Sequence, residues 1–496
     1  MKIFTAEQIR AWDKFTLDKE KISSIELMER AASSCFNWLT QHYGLTKNYF
    51  LFCGSGNNGG DGLVLARLLH NAKITTQIYV LEHKSKSDDY SINYMRLIEL
   101  KVKIVFIKSV KDFPVIPKDV VIVDALFGTG INAPLKNIEA QLVNYINKCN
   151  LPVLSIDMPS GLMADGKQGT GPIINAKHTL SFEVNKLAFY LPGNAVFTGT
   201  VHLLNLGLDK QYYKETQTDF ETADKLLIKQ IYKPRNENSH KYTFGHALLY
   251  AGSKNMMGAA ILCSRACIRS GAGLVTVHVS KDCEAIIHNA LPEAITTTTD
   301  NTGSSWLKKS AIGVGPGTEV NYKNKQRLKR LISSWNGPLI IDASALQLLS
   351  SLTGLLHPRA AHPAILTPHK GEFEKLFGKT INDFETLQLA TKKAKELNCF
   401  IVLKEHHTLI ACPDGKHYFN TTGNAGMATA GSGDTLTGLL CGLLAQGYTE
   451  KDTCILGVYL HGLAGDIAAK KYSQEAMIAS DIINCIGDAY KLIKEF

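Results

Sequence analysis

The chain has 496 residues, too many for one ordinary domain and enough for two or three that each bury a core. Hydrophobic residues at 45% and charged residues at 20% exclude a disordered chain, and the net charge of +9 is spread along the sequence, which argues against nucleic-acid binding and suits small anions. The opening residues carry no apolar targeting core and no run of about 18 apolar residues occurs, so a cytoplasmic location without a membrane partner is expected.

Thr5 with Gln8 forms a capping box, and Leu27, Met28, Ala31, Ala32, Cys35, Phe36 and Leu39 recur at helical spacing, so two helices are predicted before the first strand. The apolar run Tyr49 to Cys53 leads into Gly-Ser-Gly-Asn-Asn-Gly-Gly-Asp-Gly at 54–62 and then a helical pattern, the first half of a nucleotide-binding βαβ unit. The spacing is neither the dinucleotide fingerprint nor a P-loop. Val120 to Val123 delivers Asp124 and then Gly128-Thr129-Gly130, and Val153 to Ile156 delivers Asp157, Pro159, Ser160 and Gly161. Three strand ends with adjacent glycines point to one ligand crevice, although a strand ending in Asp is often only a turn or a cap.

Between Leu208 and Phe244 the pattern is polar and aperiodic and reads as a linker, which separates domains at 1–212 and 222–496. A second alternation follows: a strand from Ala247, a helix of small residues from Gly258 to Cys267, strands at 274–279 and 311–314, then Leu339 to Asp342, Ala364 to Leu366 and Phe400 to Lys404. Alternating strands and helices predict parallel sheets covered by helices in both domains, an α/β class with two three-layer α/β/α domains. The eleven cysteines lack any C-x-x-C pair and read as reduced core fillers, with Cys263 and Cys267 on one helix face.

The stretch Gly423 to Leu439 closes the second domain: small residues, one carboxylate, then an apolar helix. Glycines at 426, 431 and 433 permit conformations closed to other residues, and a helix starting near Ser432 would point unpaired N–H groups at an anion. Asp434 stands where a base could take a proton from a hydroxyl attacking a bound phosphate, while the bland alternative is a helix-capping turn.

Taken together, Gly-Asn-Asn-Gly-Gly-Asp-Gly, Asp-Ala-Leu-Phe-Gly-Thr-Gly and Ile-Asp-Met-Pro-Ser-Gly in the front half, with Gly-Met-Ala-Thr-Ala-Gly-Ser-Gly-Asp and Tyr-Leu-His-Gly-Leu-Ala-Gly-Asp in the back half, resemble the bifunctional NAD(P)H-hydrate repair enzymes. The resemblance covers nearly the whole chain. It implies a Rossmann-like NAD(P)H-hydrate epimerase domain followed by a ribokinase-like, ADP-dependent dehydratase domain. In the first domain it implies that Asn57, Asn58, Gly59, Gly60, Asp61, Gly128, Thr129, Gly130, Ile131, Asn132, Ala133, Pro134 and Asp157 contact the hydrate, with Asp157 as acid/base at C6. It also implies a potassium ion on Asn58, Asp124 and Ser160.

In the second domain the resemblance implies that Ala259, Gly317, His369 and Asp434 face the hydrate. Lys404, Glu405, His406, His407, Thr408 and Gly433 would face ADP, which brings magnesium. Asp434 would be the base, and the substrates would be the NADH and NADPH hydrates (NADHX and NADPHX). A homo-oligomer is the expected assembly. This chain departs from the family at Lys404-Glu-His-His-Thr408, where Lys-Gly-Ala-Gly-Thr is usual, and at His369-Lys-Gly-Glu372 and Asp342-Ala-Ser344. The competing reading is a ribokinase-like kinase of a small alcohol fused to a nucleotide-binding module, and a further one makes the first domain a non-catalytic scaffold.

Overall fold

The computed structural model describes residues 1–83, 85–166, 169–298, 306 and 308–496. They form two compact units: Lys2–Thr218 with Asn382–Phe384, and Met1 with Asp219–Ile381 and Glu385–Phe496.

In the first unit, helices Ala6–Glu20 and Ser24–Tyr43 each begin at a capping box, Thr5 with Gln8 and Ser23 with Glu26. A two-residue strand, Lys2–Ile3, precedes them. Seven strands follow: β1 Asn48–Cys53, β2 Thr76–Leu81, β3 Ile104–Ile107, β4 Val120–Ala125, β5 Val153–Ile156, β6 His178–Phe182 and β7 Thr200–Leu204. They pair in the order β3-β2-β1-β4-β5-β6-β7, all parallel. This is a Rossmann-like winding, and its order reverses between β1 and β4, where the loops at their carboxyl ends splay apart. Alternate residues of β1 feed two separate cores. Tyr49, Leu51 and Cys53 pack with the helices that include Ala32 and Leu65, whereas Phe50 and Phe52 pack with Leu142 and Ile146 of helix Asn137–Lys148. Two cores on one sheet make three layers.

In the second unit the strands are β8 Phe220–Ala223, β9 His246–Tyr250, β10 Leu274–His278, β11 Ile295–Thr297, β12 Ala311–Val314, β13 Leu339–Ile341, β14 Ala364–Leu366, β15 Cys399–Leu403, β16 Leu409–Ala411 and β17 His417–Asn420. They lie in the order β8-β17-β16-β15-β14-β13-β12-β9-β10-β11. The winding is parallel except around β16, which is antiparallel to both neighbours. Helices Met257–Arg269 and Ser432–Ala445 cover one face in close contact. Small residues allow that approach: a Cβ on Gly438 would stand 1.9 Å from the Cys263 carbonyl oxygen, and one on Gly442 would stand 1.8 Å from Ser270 Oγ.

The stretch read as a linker is ordered instead. Asp209 and Asp224 cap helices Lys210–Glu215 and Lys225–Ile231, and Phe220–Ala223 joins the sheet beside His417–Asn420. Its strand has four residues and a partner some two hundred positions away, so no local periodicity announces it.

Candidate functional site

The first unit holds a cavity of about 1050 Å³ at the carboxyl ends of β1, β4, β5 and β6. Asn57, Asn58 and Asp61 enter it from the first turn of helix Asn57–Asn71, and residues 128–134 and Asp157 line it from the loops after β4 and β5. Gly59 and Gly60 are buried behind this wall. A Cβ on Gly59 would meet the Gly54 carbonyl oxygen at 1.9 Å, and one on Gly60 would meet the Met28 side chain at 2.7 Å.

Asp157 adopts φ +65°, an uncommon conformation for a residue with a Cβ that costs about 1–3 kcal/mol and clusters at functional sites. Its Oδ2 accepts from the Thr129 amide at 2.8 Å, and its Oδ1 lies 3.2 Å from Lys186 Nζ. Lys186 is fully buried, a placement lysine adopts only when paired, and it donates to Ser181 Oγ at 2.6 Å and the Phe182 carbonyl at 3.1 Å. Sequence reasoning missed Lys186, which lies in an aperiodic segment after β6. It also missed Asp13, a cavity-lining carboxyl beside Trp12 on helix Ala6–Glu20. Burial, then the charge of Asp157, pushes the Asp13 carboxyl up to about 7, against the pull of Lys186. Asp61 is also pushed well up, by burial and then by Asp157 and Asp13.

Behind the cavity Asp124 is fully buried. It accepts from the Ser160 hydroxyl at 2.6 Å, the Ser160 amide at 2.9 Å, the Ser155 hydroxyl at 2.8 Å and the Leu126 amide at 3.3 Å. Burial raises its pKa and these bonds, Ser160's first, pull it back. Asn58 differs: both polar atoms of its amide are buried without a partner among the described residues. A Cβ on Gly128 would stand 3.2 Å from Asn58 Oδ1 and 2.6 Å from Asp157 Oδ2, so only glycine lets this loop pass between them.

In the second unit the glycine loop opens helix Ser432–Ala445, with Gly431 at φ +86° as its N-cap and Asp434 in the first turn. Gly426 and Gly433 do not take left-handed conformations, contrary to the sequence expectation. Gly426 needs space instead, because a Cβ would meet the Gln474 carbonyl oxygen at 2.5 Å, whereas a Cβ on Gly433 would make only an ordinary contact with Lys404 Nζ at 3.4 Å. The start of the loop is pinned by Asp466, which accepts from the Gly423 amide at 3.0 Å and Asn424 Nδ2 at 2.9 Å.

Lys404 projects from the end of β15 toward this helix. Its Nζ donates to Asp342 Oδ1 at 3.0 Å and lies 4.0 Å from Glu372 Oε2, while Thr437 donates to Asp342 Oδ2 at 2.6 Å. Asp342 is buried, and Ala343 beside it has φ +46°. Burial, then the Asp342 charge, pushes the Asp434 carboxyl up to about 6, with Lys404 opposing. This is the range of a general base at neutral pH.

His369 bridges to Lys404 through the backbone and caps helix Lys370–Phe377, where its ring accepts from the Glu372 amide at 3.3 Å. His407 is mostly buried and contacts the Asn420 carbonyl at 3.2 Å; burial, then His406, lowers its imidazole to about 4. Thr408 donates to the Glu405 carbonyl at 3.3 Å. Ala259 and Gly317 form a neighbouring group: Gly317 has φ +62°, and its added Cβ would stand 2.8 Å from that of Ala259. Helix Met257–Arg269 links the groups, because Leu262 packs under Gly431. Among the described residues no three His, Cys, Asp or Glu side chains converge as for a transition metal. No described helix is long and apolar enough to cross a membrane.

Two α/β units, one with a carboxylate at glycine-lined strand ends and one with a carboxylate in the first turn of a helix opened by a glycine loop, define the frame of an enzyme with two nucleotide-type sites. The NAD(P)H-hydrate dehydratase profile matches residues 247–487, and the YjeF-related N-terminal profile matches residues 24–188. The bifunctional NAD(P)H-hydrate repair enzyme of Moorella thermoacetica is 32% identical over all of this chain and 98% of its own length. That of Escherichia coli is 30% identical over 98% of this chain and 93% of its own. The ADP/ATP-dependent NAD(P)H-hydrate dehydratase of Bacillus subtilis, co-crystallised with ATP and magnesium, superimposes with a TM-score of 0.51 at 30% identity, over 56% of this chain and all of its own. The chain belongs to the family of bifunctional NAD(P)H-hydrate repair enzymes, with an epimerase-type domain followed by a ribokinase-like dehydratase domain.

Proposed function

We propose that the two sites repair hydrated NADH and NADPH in succession, the epimerase within 1–212 and the dehydratase within 222–496. The first interconverts the R and S hydrates at C6. The second transfers a phosphoryl group from ADP to the C6 hydroxyl of the S hydrate, releases phosphate and leaves AMP with the restored dihydronicotinamide. The observation that carries this reading is Asp434, a carboxyl raised to about 6 at the mouth of a helix whose first N–H groups are unpaired within it. Asp434 takes the hydroxyl proton as the phosphoryl group arrives, and the N–H groups of residues 430–433 stabilise the charge in transfer. Lys404 balances the nucleotide charge, with Glu405 to Thr408 and Gly433 beside it. Ala259, Gly317 and His369 hold the hydrate.

In the first site Asn57, Asn58 and Asp61, with Gly128 to Pro134, bind the hydrate in front of the buried Gly59 and Gly60, and Asp157 is the acid/base at C6. The oxygen-only donor set of Asn58, Asp124 and Ser160, with one carboxylate and an orphaned buried amide, suits a potassium ion. Potassium would take the Asn58 amide oxygen as a ligand and fix the loop that carries the site. Magnesium would supply charge shielding on the nucleotide phosphates beside Lys404 and Gly433.

The test is ADP-dependent recovery of the reduced-ring absorbance from a mixture of hydrate epimers. Full recovery of both epimers with stoichiometric AMP and phosphate is expected. ADP consumption only with an added alcohol, and a phosphoester that accumulates, replaces this reading with a kinase.

A further inference from the structure

The first cavity contains a further carboxyl, Asp13, besides the proposed acid/base Asp157. Asp157 has both oxygens engaged, one by buried Lys186 and one by the Thr129 amide. Asp13 has no hydrogen-bond partner among the described residues and faces the same cavity from the inward side of helix Ala6–Glu20. The charged groups that face it are Asp157, Glu183 and Lys186, with Asp61 beyond, and Arg10 shares its helix. Two carboxyls on one cavity, one bound by a buried lysine and an amide N–H and the other without such partners among the described residues, form the arrangement that divides acid from base between like side chains.

We propose that Asp13 is the proton donor of the first site and Asp157 its acceptor, with Lys186 a positioning residue. This rests on the epimerase reading. Asp13 gives its proton to the C6 oxygen as the C6–O bond breaks. The N1 lone pair forms the N1=C6 bond and water leaves. Water then adds to the opposite face, the pair returns to N1, and the surplus proton passes to Asp157. A water-borne transfer from Asp157 back to Asp13 resets the site, with no oxidant or reductant involved. Burial and the Asp157 charge put Asp13 at about 7, so it carries a proton through much of the neutral range.

The experiment follows interconversion of the purified hydrate epimers by the full chain, chromatographically and without ADP, as a function of pH. The unsubstituted protein should lose rate as pH rises through about 7, because the donor loses its proton. Asp13→Asn should slow interconversion by roughly 10²-fold or more and abolish that alkaline limb, with hydrate affinity retained. Glu183→Gln removes a charge that raises the Asp13 value, and should move the limb to lower pH. This second variant leaves Asp13 in place and carries the test if Asp13→Asn folds poorly. Interconversion at the unsubstituted rate and pH profile in Asp13→Asn overturns the assignment alone, as does an unmoved limb in Glu183→Gln. A lack of interconversion by the unsubstituted protein overturns the epimerase reading itself, and this assignment with it.

Discussion

Replacing Asp434 with Asn keeps the shape of the side chain and removes the base. A positioned general base contributes about 10²–10⁴-fold, so dehydration of pure S hydrate should fall by that factor. The structure adds a pH signature. The Asp434 carboxyl is raised to about 6 by burial and by Asp342, so the ionised, active form prevails above that value and is lost below it. One unit above, about ten-elevenths of the molecules carry the base, and one unit below about one-eleventh, so kcat/KM should fall about tenfold across those two units. The assay is initial-rate recovery of the reduced-ring absorbance with saturating ADP in constant-ionic-strength buffers. Asp434→Asn should show a low rate without the acid limb. A variant within tenfold of the parent, or one that keeps a limb near 6, would refute Asp434 as the base.

The charges around Asp434 supply a second test: Lys404→Met removes the cation that holds its value down, so the acid limb should move to higher pH, whereas Asp342→Asn should move it lower. Asp124→Ala strands the buried hydroxyls of Ser155 and Ser160, and denaturant unfolding of the first unit should show a loss of about 3–5 kcal/mol. Gly431→Ala combines a left-handed backbone with a Cβ 2.4 Å from Leu262 Cδ1, and should cost about 1–3 kcal/mol and weaken ADP binding measured by titration.

What the sequence made legible was local. Strand ends that deliver Asp124 and Asp157 beside glycines, and a glycine loop opening an apolar helix at Asp434, are short-range patterns, and the chain places them at the carboxyl ends of its strands and at a helix start. Phe220–Ala223 was hidden because its pairing with His417–Asn420 is set by chain segments far apart. The Asp342–Lys404–Thr437 contact, likewise, unites three elements distant in sequence.

Asp13 and Lys186 show a different limit. Asp13 shares a helix with Ile9, Trp12 and Leu17, which also line the cavity, so a carboxyl among these apolar residues was readable as an anomaly. Nothing in the sequence says what that face covers. Lys186 acquires meaning only through burial, because a solvated lysine pairs weakly with a carboxylate while a buried one needs a partner to stay charged. A charged side chain therefore becomes chemical evidence once its desolvation and its partners are known together. That condition singles out the Asp157–Lys186 pair with Asp13, rather than the more numerous exposed charges, as the group on which the proposed proton chemistry rests.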